Sequence, residues 1–408
     1  MFIESLPQKV SNGNLGSATL SRPIRHSFHI ADIRQSESAW VVFARHELSK
    51  RLFVLKFLKA YKDSRYSLST SVERQKCMLE ALHWNRKFTP GVFIGLGHIC
   101  NFENFERHRR IINLDQIIEN PTIDKLIPGA EYALIMYPLP EGKRLDYLLS
   151  EADGASLSHY MRLLIKRVVE MHRYDVPLAG LDEDGNSWGS YTLLKKKLLE
   201  NFDFLDLALT TIKNGFYKSY YPWLKDLRQK LPRLLALSRY PEFFERRVRE
   251  KYIRRCHSDL KTPNIWIAPR NGEQDEYVWL LDTIDFNPMF CNIDVLSDFA
   301  MLAIDVQVRV KSQEITNKMI EDYLELTGQQ DEVSRSVLAY YLVEKAIITA
   351  AVSLIDDKLP SISRDFLEVA RIRTNDLMAL IEDMQCSVSE AQSHFEKQGE
   401  LVFALSAP

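Results

Sequence analysis

The sequence predicts an α+β protein with two lobes, a small β-rich lobe followed by a larger, mainly helical lobe. Short β-branched and aromatic runs occur early in the chain, Pro138 and Pro140 mark a stiff connection, and the rest has helical spacing with few helix breakers. We place a loose polar arm at 1–23, the first lobe at 24–137 and the second lobe at 138–408.

The first lobe begins with a predicted hairpin, in which "AWVVFA" and "RLFVLKFL" flank the charged connection "RHELSK". The segment 71–88 contains no glycine or proline and places Leu79 and Leu82 one turn apart. This pattern predicts a helix that is closed by Pro90 and Gly91. Two further strands are predicted from "GVFIGLGHI" and "EYALIMYPLP".

The second lobe is dominated by segments with helical spacing. Helices are predicted over 157–172, 191–211, 222–239, 313–326, 333–355 and 361–384. An acidic, strand-rich run at 251–285 interrupts them. This run carries the residues with the clearest chemical meaning.

Bulk composition excludes several classes of protein. With 53 basic and 55 acidic residues the net charge is -2, which gives no electrostatic reason to bind nucleic acid or an anionic membrane. Five dispersed cysteines without a CxxC pair predict neither a disulfide framework nor a zinc site. No signal peptide is predicted, and Glu344 and Lys345 interrupt the apolar run at 342–355. We therefore expect a cytoplasmic protein, and its oligomeric state is left open.

The segment "HSDLKTPN" has the spacing of a phosphotransfer loop. Asp259 and Asn264 are five residues apart, and His257 precedes the aspartate by two. A carboxylate at Asp259 can accept a hydrogen bond from a substrate hydroxyl and orient it for attack. The amide oxygen of Asn264 can bind a hard cation such as Mg²⁺.

A second carboxylate for this cation is predicted in "VWLLDTIDFNP", which offers Asp282 and Asp285. Positions three apart in an extended strand point to opposite faces, so only one of the two should face the metal unless a turn begins between them. We prefer Asp285, because "IDFN" is similar to the Asp-Phe-Gly type of ending, and keep Asp282 as the alternative.

"CHSDLKTPNI", "LLDTIDFNP" and "IDVLSDFAML" together resemble the aminoglycoside phosphotransferase-like branch of the protein-kinase-like superfamily. The similarity is greatest to an uncharacterised bacterial group in that branch and runs from about residue 27 to residue 355. The resemblance implies a two-lobed protein-kinase-like fold, ATP and Mg²⁺ as cofactors, and transfer of the γ-phosphate to a hydroxyl of a small molecule. It leaves the acceptor unidentified.

The resemblance also implies roles for individual residues of the loop. Asp259 matches the catalytic base, and Asn264 matches a metal ligand together with Asp285 or Asp282. His257 matches a structural member of the loop.

Three further positions match supporting residues of the family. Asp298 corresponds to the acidic residue that braces the catalytic loop, a role that Asp294 could share. The segment "LIMYPLP", which contains Met136, corresponds to the hinge whose backbone contacts adenine.

Lys56 matches the strand lysine that holds the nucleotide phosphates. Lys59 is its rival, but the apolar neighbours of Lys56 favour Lys56 as the residue that points inward. Glu80 in the following helix would orient Lys56 by an ion pair, with Glu73 as the alternative.

The sequence also departs from the family pattern. Ser258 replaces the glycine usual in small-molecule kinases of this kind, and Lys261 replaces a common histidine and could reach the γ-phosphate. The expected phosphate loop, "IRQSESAWVV", has no glycine, so its backbone cannot approach phosphates as closely as a glycine-rich loop does. Two other functions therefore stay open, namely a protein kinase and a weakly catalytic pseudokinase that acts as a binding module.

Overall fold

The protein folds into a β-rich first part and a larger helical second part, which confirms the predicted α+β class. The computed structural model describes residues 26–36, 38–62, 67–100, 102, 109–212, 218–234, 241–269, 275–356 and 362–382. The predicted arm at 1–23 lies outside these residues.

Six strands of the first part form a closed barrel. They are β1 (His26–Gln35), β2 (Ala39–His46), β3 (Leu52–Leu58), β4 (Phe93–Cys100), β5 (Ile111–Ile118) and β6 (Tyr132–Met136). Their order around the barrel is β1-β2-β3-β6-β4-β5, and the barrel closes where Phe28 of β1 lies opposite Ile112 of β5. The sequence patterns did not predict β1 or β5. In β1 only Phe28 is fully buried, so this strand has a weak hydrophobic alternation.

The helix α1 (Ser71–Phe88) joins the two parts of the protein. It begins with a capping box, in which the Thr70 side chain accepts from the Glu73 backbone and the Glu73 side chain accepts from the Thr70 backbone. Its middle packs into the barrel core, while Trp84 and Phe88 belong to the core of the helical part. Because α1 contributes to both cores, it fixes the barrel against the helical part.

The helical part contains helices at all six predicted segments, together with Val295–Val310, which is as long as several of them, and shorter helices. Its helices are α2 (Leu145–Glu151), α3 (Gly154–Glu170), α4 (Tyr191–Ile212), α5 (Tyr221–Leu234), α6 (Pro241–Arg249), α7 (Pro288–Cys291), α8 (Val295–Val310), α9 (Gln313–Thr327), α10 (Glu332–Asp356) and α11 (362–382). The predicted helices at 222–239 and 361–384 extend into residues that the structure does not describe.

Among the described residues, one helix is long and apolar enough to cross a membrane, Glu332–Ile355 within α10. In the folded protein 67% of its most apolar window is buried. It packs against α8 and α4. Its apolar character is therefore explained by its place in the protein core.

Two short antiparallel strand pairs hold the segments of chemical interest. Strand β7 (Ile253–Arg255) pairs with β10 (Asn292–Asp294), and β8 (Ile265–Pro269) pairs with β9 (Glu276–Leu280). The catalytic loop lies between β7 and β8, and the segment with Asp282 and Asp285 lies between β9 and β10. We refer to these two stretches as the catalytic loop and the metal segment.

Candidate active site

The start of the catalytic loop rests on a buried carboxylate of α8. Asp298 accepts hydrogen bonds from the backbone N–H groups of His257 and Ser258, at 3.1 and 2.7 Å. Its Oδ2 also lies 3.1 Å from Nε2 of His172. Burial opposes ionisation of Asp298, but His172 and the backbone donor outweigh it and lower the pKa of Asp298. The structure thus places Asp298 directly beneath the loop.

A second carboxylate of the same helix holds the end of the loop. Asp305 accepts from the backbone N–H of Thr262 at 2.8 Å and from its hydroxyl at 2.5 Å. Asp298 and Asp305 are seven residues apart, which is about two helical turns, so both point from one face of α8. Asp305 was not among the residues predicted from the sequence, although its spacing of seven residues from Asp298 is a signal that could have identified it.

Asp294 does not take part in this support. Its carboxylate makes two hydrogen bonds of 2.7 Å to the buried guanidinium of Arg247. It also caps α8 by accepting from the backbone of Leu296 at 2.9 Å. The idea that Asp294 shares the role of Asp298 is therefore wrong, because its lone pairs are used elsewhere.

Asp259 lies at the tip of the loop with two partners. Nδ2 of Asn264 donates to Oδ2 of Asp259 at 2.8 Å, and Nζ of Lys261 lies 2.8 Å from the same oxygen. Because Asn264 uses its NH₂ group for Asp259, its Oδ1 is the atom left for a cation. Burial alone would lower the pKa of Lys261, but Asp259 and, to a smaller extent, Asp282 raise it.

His257 connects the loop to the metal segment. Its ring is completely buried, and burial lowers its pKa, so the ring is neutral at pH 7. Its carbonyl accepts from the Ile284 backbone at 3.1 Å and from the Thr283 hydroxyl at 2.9 Å. The structure therefore gives His257 contacts of a structural kind.

The metal segment turns sharply at Asp282. Strand β9 ends at Leu280, and Asp282 has a left-handed backbone with φ of 60°. Its N–H donates to Oδ1 of the buried Asn85 at 2.9 Å, and the Thr89 hydroxyl donates to the Leu280 carbonyl at 2.8 Å. Left-handed backbone is unfavourable for residues other than glycine and concentrates at functional sites. Here the last turns of α1 hold it in place.

Asp282 and Lys56 form an ion pair across the cleft between the barrel and the helical part. The carboxylate of Asp282 is 57% exposed and the Lys56 side chain 24% exposed, so both face the cleft. The Lys56 charge is the main cause that lowers the pKa of Asp282. Burial opposes the charge of Lys56, but Asp282 and Asp285 outweigh it and raise the pKa of Lys56.

Asp285 has a different environment. Its Oδ1 accepts from the Cys77 thiol at 3.3 Å, and burial raises its pKa to about 6. The carboxylate of Asp282 is exposed, whereas that of Asp285 is partly buried and bound by Cys77, so the geometry favours Asp282 over Asp285 as the ligand of a hard cation. The sequence-based preference for Asp285 came from the similarity of "IDFN" to an Asp-Phe-Gly ending. The separate argument that only one aspartate faces the metal assumed a continuing strand, but β9 ends before both residues.

The predicted ion pair between Lys56 and Glu80 is absent. Glu80 accepts instead from the Trp84 indole N–H at 2.9 Å, and Glu73 is used in the capping box of α1. Among the described residues no carboxylate of α1 pairs with Lys56, and Asp282 is the carboxylate that binds and orients this lysine. Spacing along a helix could not reveal that Trp84 would bind Glu80.

The other predicted nucleotide contacts lie on neighbouring strands. Lys59 points away from Lys56: its Nζ donates to the Ser36 carbonyl at 2.6 Å and lies 4.1 Å from the Trp40 ring centroid. It thereby fastens the glycine-free turn between β1 and β2. Met136 ends β6 opposite Val54 and is partly buried. It stays a candidate for the hinge.

Comparisons with known proteins give only distant resemblances. No family model matches the chain. No curated protein matches it either.

Similar solved structures are small-molecule kinases. An aminoglycoside phosphotransferase from Alicyclobacillus acidocaldarius is 12% identical, with a TM-score of 0.47, and the match covers 93% of this chain and 98% of that chain. A choline kinase from Cryptosporidium parvum is 12% identical, with a TM-score of 0.45 and coverage of 88% and 90%. An ethanolamine kinase from Plasmodium vivax is 12% identical, with a TM-score of 0.44 and coverage of 85% and 81%. Because these TM-scores are below 0.5, the likeness assigns no role to any residue.

Proposed function

We propose that this protein is a phosphotransferase that moves the γ-phosphate of Mg·ATP to a hydroxyl group of a small molecule. The observation that carries the proposal is the meeting of three segments distant in sequence, which are β3, the catalytic loop and the metal segment. Lys56 of the barrel forms an ion pair with Asp282. The residue before Asp282 is Leu281, whose backbone N–H donates a hydrogen bond of 2.8 Å to the carbonyl of Asn264. Asn264 in turn holds Asp259. These four side chains are the set that in-line phosphoryl transfer requires.

The donor set fits magnesium. Mg²⁺ prefers oxygen ligands and is commonly bound by one or two carboxylates together with substrate phosphates. Oδ1 of Asn264 and the exposed carboxylate of Asp282 would hold it, with Asp285 as the further candidate. When bound, the cation would neutralise the charge of the triphosphate. None of these groups is a soft sulfur or imidazole ligand.

The residues of the chain then have separate tasks. Asp259 orients the acceptor hydroxyl and takes its proton as the hydroxyl oxygen bonds to the γ-phosphorus and the bond from that phosphorus to the oxygen of ADP, the leaving group, breaks. Asn264 and Lys261 fix the carboxylate of Asp259, since both bind its Oδ2. Lys56 supplies a fixed positive charge for the phosphates from the opposite side of the cleft. Positioning and charge neutralisation provide most of the catalysis in this reaction class.

The test is an ATP-consumption screen of the purified full chain with Mg²⁺, against aminoglycosides, other hydroxylated metabolites and candidate proteins. We expect turnover with a small-molecule acceptor and loss of most of it in Asp259→Asn, with Mg·ATP affinity largely kept. Asp322→Asn is a matched control, because it makes the same change at an exposed aspartate of α9 that pairs with Lys318. Phosphorylation of proteins alone would favour the protein-kinase alternative.

A pseudokinase remains the second candidate, and two observations favour it. The turn between β1 and β2 contains no glycine and is fastened by Lys59, which limits its approach to phosphates. Lys56 also lacks a helix carboxylate and binds Asp282 instead. A thermal shift with Mg·ATP but no Asp259-dependent hydrolysis would establish this reading. If Mg·ATP produces no thermal shift and no hydrolysis is detected, every nucleotide-dependent function is rejected.

A further inference from the structure

A cavity of about 490 Å³ lies between α1 and the turn that follows β5, separate from the active-site cleft. Leu79 and Leu82 form its apolar floor, together with Pro121. Its basic lining residues are His83, Arg86, Lys87 and Lys125. No lining residue is acidic. The volume is within the usual range for a small-molecule site, roughly 300–1,000 Å³.

The helix α1 separates this cavity from the proposed active site. Residues 79, 82, 83, 86 and 87 follow the spacing of one helical face and line the cavity. The opposite face carries Cys77 and Asn85, whose side chains contact Asp285 and the backbone of Asp282. A ligand in the cavity would thus touch the helix that holds the metal segment, without entering the cleft.

The basic groups are arranged before any ligand binds. The Arg86 guanidinium donates to the Phe93 carbonyl at 3.2 Å, to the Ile94 carbonyl and to Oδ1 of Asn120 at 3.4 Å. Nζ of Lys125 donates to the Asn120 carbonyl at 3.2 Å. An anion that binds here therefore meets donors whose positions are already largely fixed, which reduces the entropy lost on binding.

The field of these groups is positive despite nearby carboxylates. Lys87 lies over the Trp84 ring, with Nζ 4.7 Å from its centroid, so no acid is needed to hold it. Burial and then the charge of Lys87 lower the pKa of His83, although Glu80 acts in the opposite direction. Glu119 acts on Arg86, but it does not line the cavity. In a chain with net charge -2, this concentration of basic side chains is a local feature.

We infer that the cavity binds a phosphorylated small molecule. Lys87 projects from α1 and Lys125 from the turn after β5, so a ligand that contacts both lysines needs at least two anionic oxygens. A phosphate ester does this with more charge than a single carboxylate. The floor of Leu79, Leu82 and Pro121 accommodates the carbon skeleton of the same ligand.

Pyrophosphate without Mg²⁺ is the probe, measured by calorimetric titration of the full chain. The informative variant is the double substitution Lys87→Gln and Lys125→Gln, which removes two charges and keeps polar side chains. Its matched control is Lys166→Gln with Lys318→Gln, two exposed lysines of the helical part. We expect the first pair to weaken binding about five- to tenfold and the control pair to change it less than about twofold.

A third variant separates the cavity from the cleft. Lys56→Ala removes the phosphate-binding lysine of the cleft, and we expect the Lys87- and Lys125-dependent binding to persist in it. The inference is overturned if wild-type protein does not bind pyrophosphate, if the Lys87 and Lys125 variant binds as wild type does, or if Lys56→Ala abolishes all binding. Mg·ATP binding by the Lys87 and Lys125 variant tests the proposed function independently, because neither lysine lies in the cleft.

Discussion

Replacing Ser258 by glycine should stabilise the protein. Ser258 has a φ of 73°, in the left-handed region, and stands where the resembled kinases usually carry glycine. Its side chain is 6% exposed, and its hydroxyl has no hydrogen-bond partner among the described residues. The contact that fixes the loop is made by its backbone N–H, which donates 2.7 Å to Asp298. Glycine therefore keeps the important hydrogen bond and removes both unfavourable features.

The magnitude follows from three contributions. Left-handed backbone costs a residue with a Cβ about 1–2 kcal/mol, and a buried unpaired hydroxyl costs about 1–3 kcal/mol. The extra freedom of glycine in the unfolded chain offsets about 0.5–1 kcal/mol of this gain. Together these contributions predict that Ser258→Gly raises the free energy of unfolding by about 1–4 kcal/mol, and that Ser258→Ala, which keeps the backbone strain, raises it by about 1–3 kcal/mol.

Urea denaturation of the wild type and both variants measures these differences, with equal slopes required for the comparison. Any acceptor-dependent activity should change little, because Asp298 still holds the loop in Ser258→Gly. The reasoning is refuted if Ser258→Gly lowers the free energy of unfolding. The reasoning is also refuted if Ser258→Ala is more stable than Ser258→Gly by about 1 kcal/mol or more. Relief of backbone strain by glycine would then contribute nothing to stability.

Three further predictions concern the metal segment. Asp282→Ala should weaken Mg·ATP binding in calorimetry more than about tenfold and Asp285→Ala less, since only the first removes the exposed carboxylate; the reverse ranking would return the role to Asp285. Burial raises the folded pKa of Asp285 from 3.8 to about 6, so the stability present at low pH is lost as pH rises through about 6. Asp285→Asn should then gain up to about 3 kcal/mol over wild type in urea denaturation at pH 8 and little at pH 4; an equal gain at both values would contradict this. Asn85→Ala leaves the Asp282 N–H unpaired, so it should lower the free energy of unfolding by about 1–3 kcal/mol and should also lower the affinity for Mg·ATP. A loss of stability with unchanged Mg·ATP affinity would show that Asn85 has a purely structural role.

Local features of the site could be predicted from the sequence because short-range geometry sets them. The five-residue spacing of Asp259 and Asn264 brings the two side chains together through the single 3₁₀ turn at Thr262–Asn264. The helix Ser71–Phe88 also follows from its own residues, since it starts at the capping box of Thr70 and ends before Gly91, whose φ is 82°. These elements depend on neighbours within a few residues.

Helical spacing likewise predicted six helices of the second part, although the list of predicted segments did not include Val295–Val310. A helix such as Gln313–Thr327 can be predicted from three local features. These are an apolar face that repeats along the chain, an N-cap at Ser312 and a left-handed Gly328 at its end. Strand β1 could not be found in this way. It is half-exposed, and it becomes a strand by pairing with β2 and β5.

Choices between rival side chains were decided only by the tertiary structure. The sequence determined that Lys56 and Lys59 leave opposite faces of β3, and it offered Glu80 as a partner and two aspartates as ligands. The fold joined Lys56 to Asp282, which is 226 positions away in the chain, while Trp84 engaged Glu80. An ion pair depends on distance in space and on competing partners, and spacing along one element determines neither across so long a separation.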